Sequence, residues 1–321
     1  MKPFESFLAE KMEEYLVYRQ TLGYSLSDTR YNLLVFDNYL LEKQCDWQHL
    51  HPGLFLEFQA FFKREPDTAN VHLANVRSFF QFLVRQGIYE TNPVRDIPEV
   101  PKKPFIPYVF TPEQVDQLLA AVSKRLRKSK RFYIQDLALY VAMVLIARCG
   151  LRLSEPLRLK RHHYRDQEGT LYIEKTKFKK DRLIPVPKIA LRELSNYLAV
   201  RDAFQDDNPY LLIGEKGKSI SSSKIYRFFY SAIKDIGLEQ PKQTLGDVTF
   251  SPPRIHSLRH SFAINTLKAI KERGQDVQHA LPVLAAYMGH RKYQYTGAYL
   301  KVLDAGQRQG LIDFARSQEL K

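Results

Sequence analysis

The chain has 321 residues, of which 44% are hydrophobic when tyrosine is counted among them. It contains 20 phenylalanines and 19 tyrosines. This content is enough to bury the cores of about two domains, which excludes a wholly disordered protein. The formal net charge of +14 favours nucleic acid as a partner first and an anionic membrane second. The two cysteines, Cys45 and Cys149, lie far apart in the sequence, which excludes a disulfide framework and a cysteine-rich metal site.

The N-terminal segment predicts a cytoplasmic protein. It is rich in charged residues and lacks the apolar stretch of a secretory signal. The longest apolar run, from Leu137 to Ala147, is too short to span a bilayer and is followed directly by Arg148.

Four amphipathic helices are predicted in the first part of the chain. Apolar residues recur there at spacings of three and four, most clearly at Ala69, Leu73, Val76, Phe80 and Leu83. The pattern predicts a small all-α domain over residues 1–97. Five prolines then follow between residues 92 and 107, a density that neither a helix interior nor a central strand tolerates. We therefore predict a proline-rich linker over residues 98–110.

The remaining residues, 111–321, predict a second domain that is mainly α with a small antiparallel β-sheet, an α+β fold. Thr111 followed by Pro112 predicts a helix start, and the apolar run ending at Arg148 predicts a buried central helix. Two β-rich segments, 171–173 and 183–186, flank a basic turn and predict a hairpin. Further helices are predicted over 189–203, 223–237 and 257–270.

The positive charge is concentrated in this second part. Residues 1–105 carry a net charge of −2, and residues 106–321 carry +16. Two runs of basic residues suit a DNA phosphate backbone, although a solvated surface is an alternative for the first run. The candidate DNA-contacting residues are Lys124, Arg125, Arg127 and Lys128 in the first run and Lys175, Lys179, Lys180 and Arg182 in the second.

Five short segments carry residue types that suit phosphodiester chemistry. In chain order they contain Arg152, Lys177, the pair His256 and Arg259, then Gly289-His290, and finally Tyr299. Tyr299 follows His290 by nine residues. This order and this interval resemble the catalytic pattern of the tyrosine recombinase (phage integrase) family, in its transposon-borne or Xer-like branches.

The resemblance implies a fold and a layout. It implies that residues 1–97 form an all-α, SAM-like core-DNA-binding domain and that residues 111–321 form the catalytic domain with a C-terminal tail. The two domains are then expected to close around DNA as a C-shaped clamp. It also implies double-stranded DNA with inverted half-sites as the partner and a homotetramer on two DNA sites.

The chemistry that the resemblance implies needs no cofactor and no metal. Tyr299 acts as the nucleophile, giving a 3′-phosphotyrosyl bond. Arg152 and Arg259 offer planar, permanently charged groups for the phosphate oxygens. Lys177 is the expected acid for the leaving 5′ oxygen, and His256 and His290 can take a proton or hydrogen-bond the phosphate. The predicted activity is integration or excision of a mobile element.

Several alternatives stay open at this point. A Xer-type chromosome-dimer resolvase and a type IB topoisomerase use similar residues, and a DNA-binding regulator could keep the fold without catalysis. His256 and His260 stand four residues apart and could form a metal pair, although no third ligand is evident. Tyr287, Tyr293 and Tyr295 compete with Tyr299 as nucleophile. A need for accessory proteins is not decided by the sequence.

Overall fold

The computed structural model describes residues 2–62, 65–101, 105–174, 181–204, 207–245, 248–290, 296–297 and 299–300. The chain divides into two compact units, which we call unit 1 (Met1–Lys103) and unit 2 (Pro104–Lys321). The fold is mainly helical, with small β-sheets in unit 2, which confirms the predicted fold class.

The described part of unit 1 contains the four α-helices that the apolar spacing predicts. They are α1 (Ala9–Thr21), α2 (Ser27–Glu42), α3 (Pro52–Phe61) and α4 (Pro66–Arg85). Aromatic rings fill the space between them: Phe36 stacks on Phe55 at 6.0 Å and meets Phe58 edge-on at 5.1 Å. All three rings are fully buried, and each such burial stabilises the fold by about 1.5–3 kcal/mol.

The start of the proline-rich segment is fastened to unit 1 by side chains of α4. Arg77 donates to the carbonyls of Val94 and Ile97 at 3.0 and 2.7 Å. Asn70 exchanges hydrogen bonds of 2.9 and 2.8 Å with the backbone of Val100. A chain rich in proline makes few backbone hydrogen bonds of its own, so side chains supply its partners. Residues 94–100 are therefore packed on unit 1. The packed segment extends past residue 98, where we predicted that the linker starts.

Unit 2 begins with the predicted cap. Thr111 accepts a hydrogen bond from the Gln114 amide at 3.2 Å, and the Gln114 side chain accepts from the Thr111 amide at 3.0 Å. This capping box satisfies two backbone donors that a helix start leaves free. The described helices of unit 2 are α5 (Pro112–Lys124), α6 (Lys130–Cys149), α7 (Lys188–Ala203), α8 (Ser222–Asp235), α9 (Ile255–Glu272) and α10 (Val277–Met288).

Two three-stranded sheets complete the described part of unit 2. The first contains β2 (Tyr164–Arg165), β3 (Thr170–Ile173) and β4 (Arg182–Pro185). Its strands are antiparallel, with Leu171 opposite Ile184, so the predicted hairpin is confirmed and gains one strand.

The second sheet is not predicted from the sequence. It contains β1 (Phe105–Ile106), β5 (Gln243–Leu245) and β6 (Val248–Phe250), with β1 parallel to β6 and β5 antiparallel to it. β1 lies inside the segment 98–110 that we predicted to be a linker. A strand of two residues has no measurable periodicity, and its partner lies far along the chain, so the pattern could not indicate it.

The helix α6 is the centre of unit 2, as predicted. The stretch Phe132–Cys149 within it is 18 residues long with a mean hydropathy of 1.5, enough by length and composition alone to cross a membrane. However, 67% of this stretch is buried inside the protein, where it packs against α5, α7, α8 and α9. A core helix of a folded domain meets the same criteria. The helix ends at Cys149 and is capped by Gly150, whose φ of +59° suits glycine.

Candidate active site

Arg259 is anchored by the C-terminal ends of two helices. It lies in the first turns of α9 and is only 2% exposed. Its guanidinium donates to the carbonyl of Gly150, just after α6, and to that of Met288, the last residue of α10, the latter at 2.6 Å. Helix C-terminal carbonyls carry partial negative charge. They therefore fix the arginine's position and offset part of its charge.

Arg152 and Arg182 share one buried carboxylate. Glu155, which is 6% exposed, accepts from the Arg152 guanidinium at 3.0 Å and from its backbone amide at 2.9 Å. The same carboxylate accepts two parallel bonds from Arg182 at 3.0 and 2.9 Å. Burial raises the pKa of Glu155, but the hydrogen bond and charge of Arg182 outweigh it and hold the pKa below its usual value.

Backbone carbonyls at the end of α10 hold the same two arginines. Arg152 donates to the carbonyl of Gly289 at 2.7 Å, and Arg182 donates to that of Tyr287, also at 2.7 Å. A Cβ atom on Gly289 would lie 3.0 Å from the Arg182 guanidinium, and the φ of this residue is +67°. Glycine before His290 is thus favoured by its backbone conformation, and a Cβ atom here would press on the Arg182 guanidinium.

The described part of the site has an excess of positive charge. Arg152, Arg182 and Arg259 converge on the region where α6 and α10 end, and Glu155 is the carboxylate that bonds to two of them. The burial of Arg259 and the charge of Arg152 lower the Arg259 pKa to about 9, which leaves it charged at neutral pH. Such an arrangement is suited to binding an anion with planar, bidentate donors.

Tyr299 lies beside this cluster. The side chain is 6% exposed, and its hydroxyl lies 3.0 Å from Nδ1 of His260, at hydrogen-bond distance. The ring of His290 lies 6.2 Å from the Tyr299 ring, centre to centre. Burial raises the pKa of Tyr299, while Arg259 and Arg152 act in the opposite direction. The phenol is therefore protonated at neutral pH and needs a proton acceptor before it can attack as a nucleophile.

Three histidines surround the arginines and the tyrosine. His256 and His260 meet edge-on at 4.5 Å on successive turns of α9, and Nδ1 of His290 lies 2.7 Å from the Thr296 hydroxyl. Burial, His256 and Arg259 lower the pKa of His260 to about 3. Burial and the nearby arginines lower that of His290 to about 4. Part of the His256 ring is exposed to solvent. Burial of the rest of the ring lowers its pKa, and the charges of Arg259 and Arg152 act in the same direction. All three are neutral at pH 7 without substrate.

The competing interpretations of these residues fare differently. Among the residues that the structure describes, no three His, Cys, Asp or Glu side chains are placed to hold a metal ion together. Tyr287 donates to the carbonyl of Pro185 at 3.0 Å and stacks on Phe262 at 5.6 Å. Burial also raises its pKa. Tyr287 therefore has a packing role, whereas Tyr293 and Tyr295 lie outside the described residues.

The predicted DNA-contacting residues are placed in three different ways. Lys124 and Lys128 are exposed. Arg125 forms a two-bond ion pair with Asp235, and Arg127 forms one with the buried Asp136. Arg182, which we expected at the DNA surface, is instead buried in the Glu155 network with 8% of its side chain exposed. Its strand pairing with β3 and its contacts with α10 turn it inward. Lys175, Lys177, Lys179 and Lys180 lie outside the described residues.

Two residues at the site were not identified from the sequence. Glu155 stands three residues after Arg152, the spacing of an ordinary ion pair on a helical turn, and its contact with Arg182 depends on the tertiary fold. For His260 the sequence left three interpretations open: half of a metal pair, a packed core or cap histidine, and a residue that supports a catalytic neighbour. The signal for Glu155 was a carboxylate three residues after an arginine, whereas no local signal indicated the contact between His260 and Tyr299.

Two family models match this chain. The phage integrase family matches residues 108–305, and the N-terminal SAM-like domain of phage integrases matches residues 12–87. An integrase/recombinase of Sinorhizobium fredii, y4rB, is 30% identical over 92% of this chain and 93% of its own length. The tyrosine recombinase XerA of Pyrococcus furiosus is 28% identical over 76% of this chain and 74% of its own length.

Solved structures share the fold at low sequence identity. XerH recombinase in a post-cleavage complex with palindromic difH DNA has a TM-score of 0.67 and 18% identity, over 94% of this chain and 83% of that chain. A lambda integrase tetramer on a Holliday junction has a TM-score of 0.59 and 16% identity, over 89% of this chain and 77% of that chain. Because the phage integrase model covers more than half of the sequence, the chain belongs to the phage integrase family of tyrosine recombinases.

Proposed function

We propose that this chain is a site-specific DNA recombinase that integrates or excises a mobile element through a covalent bond between Tyr299 and DNA. The observation that carries the proposal is the position of the Tyr299 phenol near Arg259 and Arg152, which both act on its pKa. These two arginines belong to a cluster in which Glu155 bonds to Arg152 and Arg182. An anion drawn to these arginines lies within reach of a nucleophilic oxygen. A DNA phosphate is such an anion, and family membership points to the same substrate.

The proposed cleavage step uses the Tyr299 oxygen as the nucleophile and the arginines to stabilise charge. The Tyr299 oxygen attacks the phosphorus, the bond to the 5′ oxygen breaks, and a 3′-phosphotyrosyl bond and a free 5′-hydroxyl result. Arg152 and Arg259 stabilise the charge that develops on the non-bridging oxygens. The loss of one such donor typically costs about 3 kcal/mol of transition-state stabilisation, about a hundredfold in rate. Rejoining reverses the step, with a 5′-hydroxyl from the partner strand as the nucleophile.

The other candidate residues divide the remaining tasks. We assign Lys177 the role of acid for the 5′ oxygen, because a lysine ammonium can donate a proton to a leaving oxygen and this lysine stands in the motif order between Arg152 and His256. His256 and His290 hydrogen-bond the phosphate from opposite sides. Neutral imidazoles suit this role because they can donate a hydrogen bond without adding charge to a site that is already cationic. No cofactor enters the reaction, because the phosphotyrosyl bond conserves the energy for rejoining.

We further propose a layout and an assembly. Residues 1–97 serve as the core-DNA-binding domain, 98–110 as the linker and 111–321 as the catalytic domain and tail. Two inverted half-sites each bind one copy, and two such DNA sites bring four copies together. The XerH complex with a palindromic site and the lambda integrase tetramer on a junction support this proposal. The protein then works in the cytoplasm, in association with DNA.

One observation favours the mobile-element role over chromosome-dimer resolution. Two integrase/recombinases of S. fredii match almost end to end at 30% identity, whereas the XerA recombinase of Thermococcus onnurineus, which matches over 91% of each chain, is 26% identical. A structure of the Tn1549 transposon integrase in complex with a circular-intermediate DNA also shares the fold, with a TM-score of 0.60. The DNA around the gene distinguishes the roles: inverted repeats or an attachment junction there support a mobile element, whereas their absence favours the Xer role.

The activity is tested by trapping the covalent intermediate. A half-site that is nicked near the expected cleavage position loses a short 5′-hydroxyl fragment after attack, which prevents rejoining. With the repeats that flank the gene as substrate, the wild type should give a protein–DNA adduct in a denaturing gel. Tyr299→Phe should bind the same DNA within a few-fold and give no adduct. Specific binding by the wild type without an adduct would favour a DNA-binding regulator, and an adduct with Tyr299→Phe would move the nucleophile to Tyr293 or Tyr295.

A further inference from the structure

The Tyr299 hydroxyl has a specific partner that belongs to neither the predicted catalytic residues nor the DNA contacts. Nδ1 of His260 lies 3.0 Å from the phenol oxygen, and the two rings meet at 5.6 Å with a tilt of 65°. His260 follows Arg259 directly on α9, one helical turn after His256. This spacing places His256 and His260 on the same side of the helix, with Arg259 beside them.

The surroundings of His260 keep the ring neutral in the absence of substrate, so one ring nitrogen is free to accept a hydrogen bond from the phenol. The charged and titratable groups that face it are His256 and Arg259 on its own helix, His290 after α10, and Tyr299 itself. Burial and the first three of these groups lower the pKa of His260 to about 3. At neutral pH one ring nitrogen therefore carries a lone pair, and in the tautomer with the proton on Nε2 this lone pair lies on Nδ1, where it can accept the phenol hydrogen.

We infer that His260 is a catalytic residue, the base that takes the Tyr299 proton during cleavage and returns it during rejoining. This inference rests on the proposed recombinase function. In cleavage the phenol proton passes to Nδ1 as the bond between oxygen and phosphorus forms, and the leaving 5′ oxygen takes its proton from a separate acid, for which we propose Lys177. In rejoining both protons return along the same paths, so atoms and charge balance.

The arginine cluster makes this base depend on substrate. Arg259 disfavours the protonated form of His260. A phosphate bound to Arg259 and Arg152 offsets these charges, so the imidazole becomes a stronger base when DNA is in place. The additional negative charge of the transition state acts further in the same direction. The proton transfer is therefore favoured when the phosphorus lies in the site and disfavoured when the site is empty.

The other two histidines are less well placed for this task. Nδ1 of His290 is engaged with the Thr296 hydroxyl at 2.7 Å. His256 lies one turn before His260 and contacts the His260 ring edge-on. Within the part of the chain that the structure describes, the hydrogen-bond partner of the Tyr299 hydroxyl is His260. His256 and His290 are then left for the phosphate.

The test separates proton transfer from simple positioning. His260→Asn keeps an amide at the level of Nδ1, which can hold the phenol by a hydrogen bond but cannot take its proton. Single-turnover cleavage of the nicked half-site should fall about a hundredfold or more, with DNA affinity within about twofold of wild type. His279→Asn, at a histidine whose side chain is 90% exposed on α10, is the matched control and should cleave like the wild type.

A more acidic phenol should reduce the need for the base. With a fluorinated tyrosine at position 299, the penalty of His260→Asn should shrink to less than about tenfold. His260→Ala provides a second variant, whose cleavage should be partly restored by imidazole in the buffer. Cleavage by His260→Asn within about threefold of wild type, or the same penalty with both phenols and no imidazole rescue, would overturn the inference. A wild type that forms no adduct would instead remove the proposed function, and the inference with it.

Discussion

Replacing Glu155 tests whether the arginine cluster depends on its buried carboxylate. Glu155 accepts hydrogen bonds from both Arg152 and Arg182 at 2.9–3.0 Å and is 6% exposed. Removing one partner of a buried ion pair leaves the other charges uncompensated and costs about 3–5 kcal/mol. For Glu155→Gln, which keeps the shape and loses the charge, we expect about 3 kcal/mol. With a urea m-value of about 3 kcal/mol/M, the unfolding midpoint of unit 2 should fall by about 1 M.

The same variant should reveal a defined pH dependence. The folded-state pKa of Glu155 lies below the ordinary value of 4.5, so its carboxylate stabilises the fold above that pH. This contribution is lost as the pH falls through the folded-state pKa. Glutamine does not titrate. The difference in unfolding free energy between wild type and Glu155→Gln should therefore be complete at pH 7 and should narrow in strongly acidic solution.

Urea unfolding of the full chain provides the measurement. Far-UV circular dichroism follows both units, and the fluorescence of Trp47, the one tryptophan of the chain, reports from unit 1. Asp235→Asn is the matched control, because it breaks an exposed ion pair with Arg125 in the same unit. Exposed pairs contribute little, so this variant should unfold like the wild type. Equal midpoints for Glu155→Gln and Asp235→Asn, or a difference that does not change with pH, would refute the reasoning.

Four further expectations concern other parts of the chain. Lys177→Ala should slow cleavage of a normal substrate sharply. A 5′-bridging phosphorothiolate substrate should restore most of the rate, because its leaving group needs little protonation. An equal defect on both substrates would make this lysine a phosphate contact. In a plot of the logarithm of DNA affinity against the logarithm of salt concentration, the slope should be about −5 or steeper, as six or more phosphate contacts require. A nearly flat plot would contradict a basic DNA-binding surface. Gly150→Ala should destabilise unit 2 by about 2 kcal/mol or more, because its Cβ would lie 2.4 Å from the Phe262 ring. Gly237→Ala is the control, because Gly237 has a similar φ of +66° and its Cβ would lie in open space. This control should lower the free energy of unfolding by less in the same urea titration. Leu311 and Phe314 belong to a short apolar stripe in the C-terminal tail, which lies outside the described residues and is expected to dock on a neighbouring subunit. Leu311→Ala combined with Phe314→Ala should therefore weaken tetramers on paired DNA sites in sedimentation and leave single-site binding intact. Unchanged tetramers would indicate that the tail packs on its own subunit.

Local patterns were sufficient for most of the helices. The helices of unit 1 depend on a period of three and four residues, and α6 depends on a continuous apolar run. The start of α5 is determined within four residues by the mutual cap of Thr111 and Gln114. The β3–β4 hairpin likewise depends on neighbouring segments. By contrast, β1 exists because Phe105 and Ile106 meet Thr249 and Phe250. A pairing between such distant residues leaves no trace in the spacing of either segment.

The site shows the same division between local and distant information. The order of the motifs identified Arg152, Arg259, His290 and Tyr299, and the structure brings these side chains together. Arg182 was assigned to the DNA surface, because its neighbours in the sequence are lysines. Its inward direction is set by strand pairing and by the carbonyl of Tyr287, and neither can be inferred from the run of positive charges.

The way in which the arginines are held has a consequence for catalysis. Free arginines crowded together would repel one another and would need an anion to become ordered. Here backbone carbonyls at the ends of α6 and α10 accept hydrogen bonds from all three guanidiniums, and the partial negative charge of these helix ends offsets part of the repulsion. The cluster is therefore built before DNA arrives, and little reorganisation is required when charge develops on the phosphate. What remains to be supplied at the moment of reaction is the movement of protons, away from Tyr299 and onto the 5′ oxygen, so substitutions at His260 and Lys177 should affect the chemical step more than the binding of DNA.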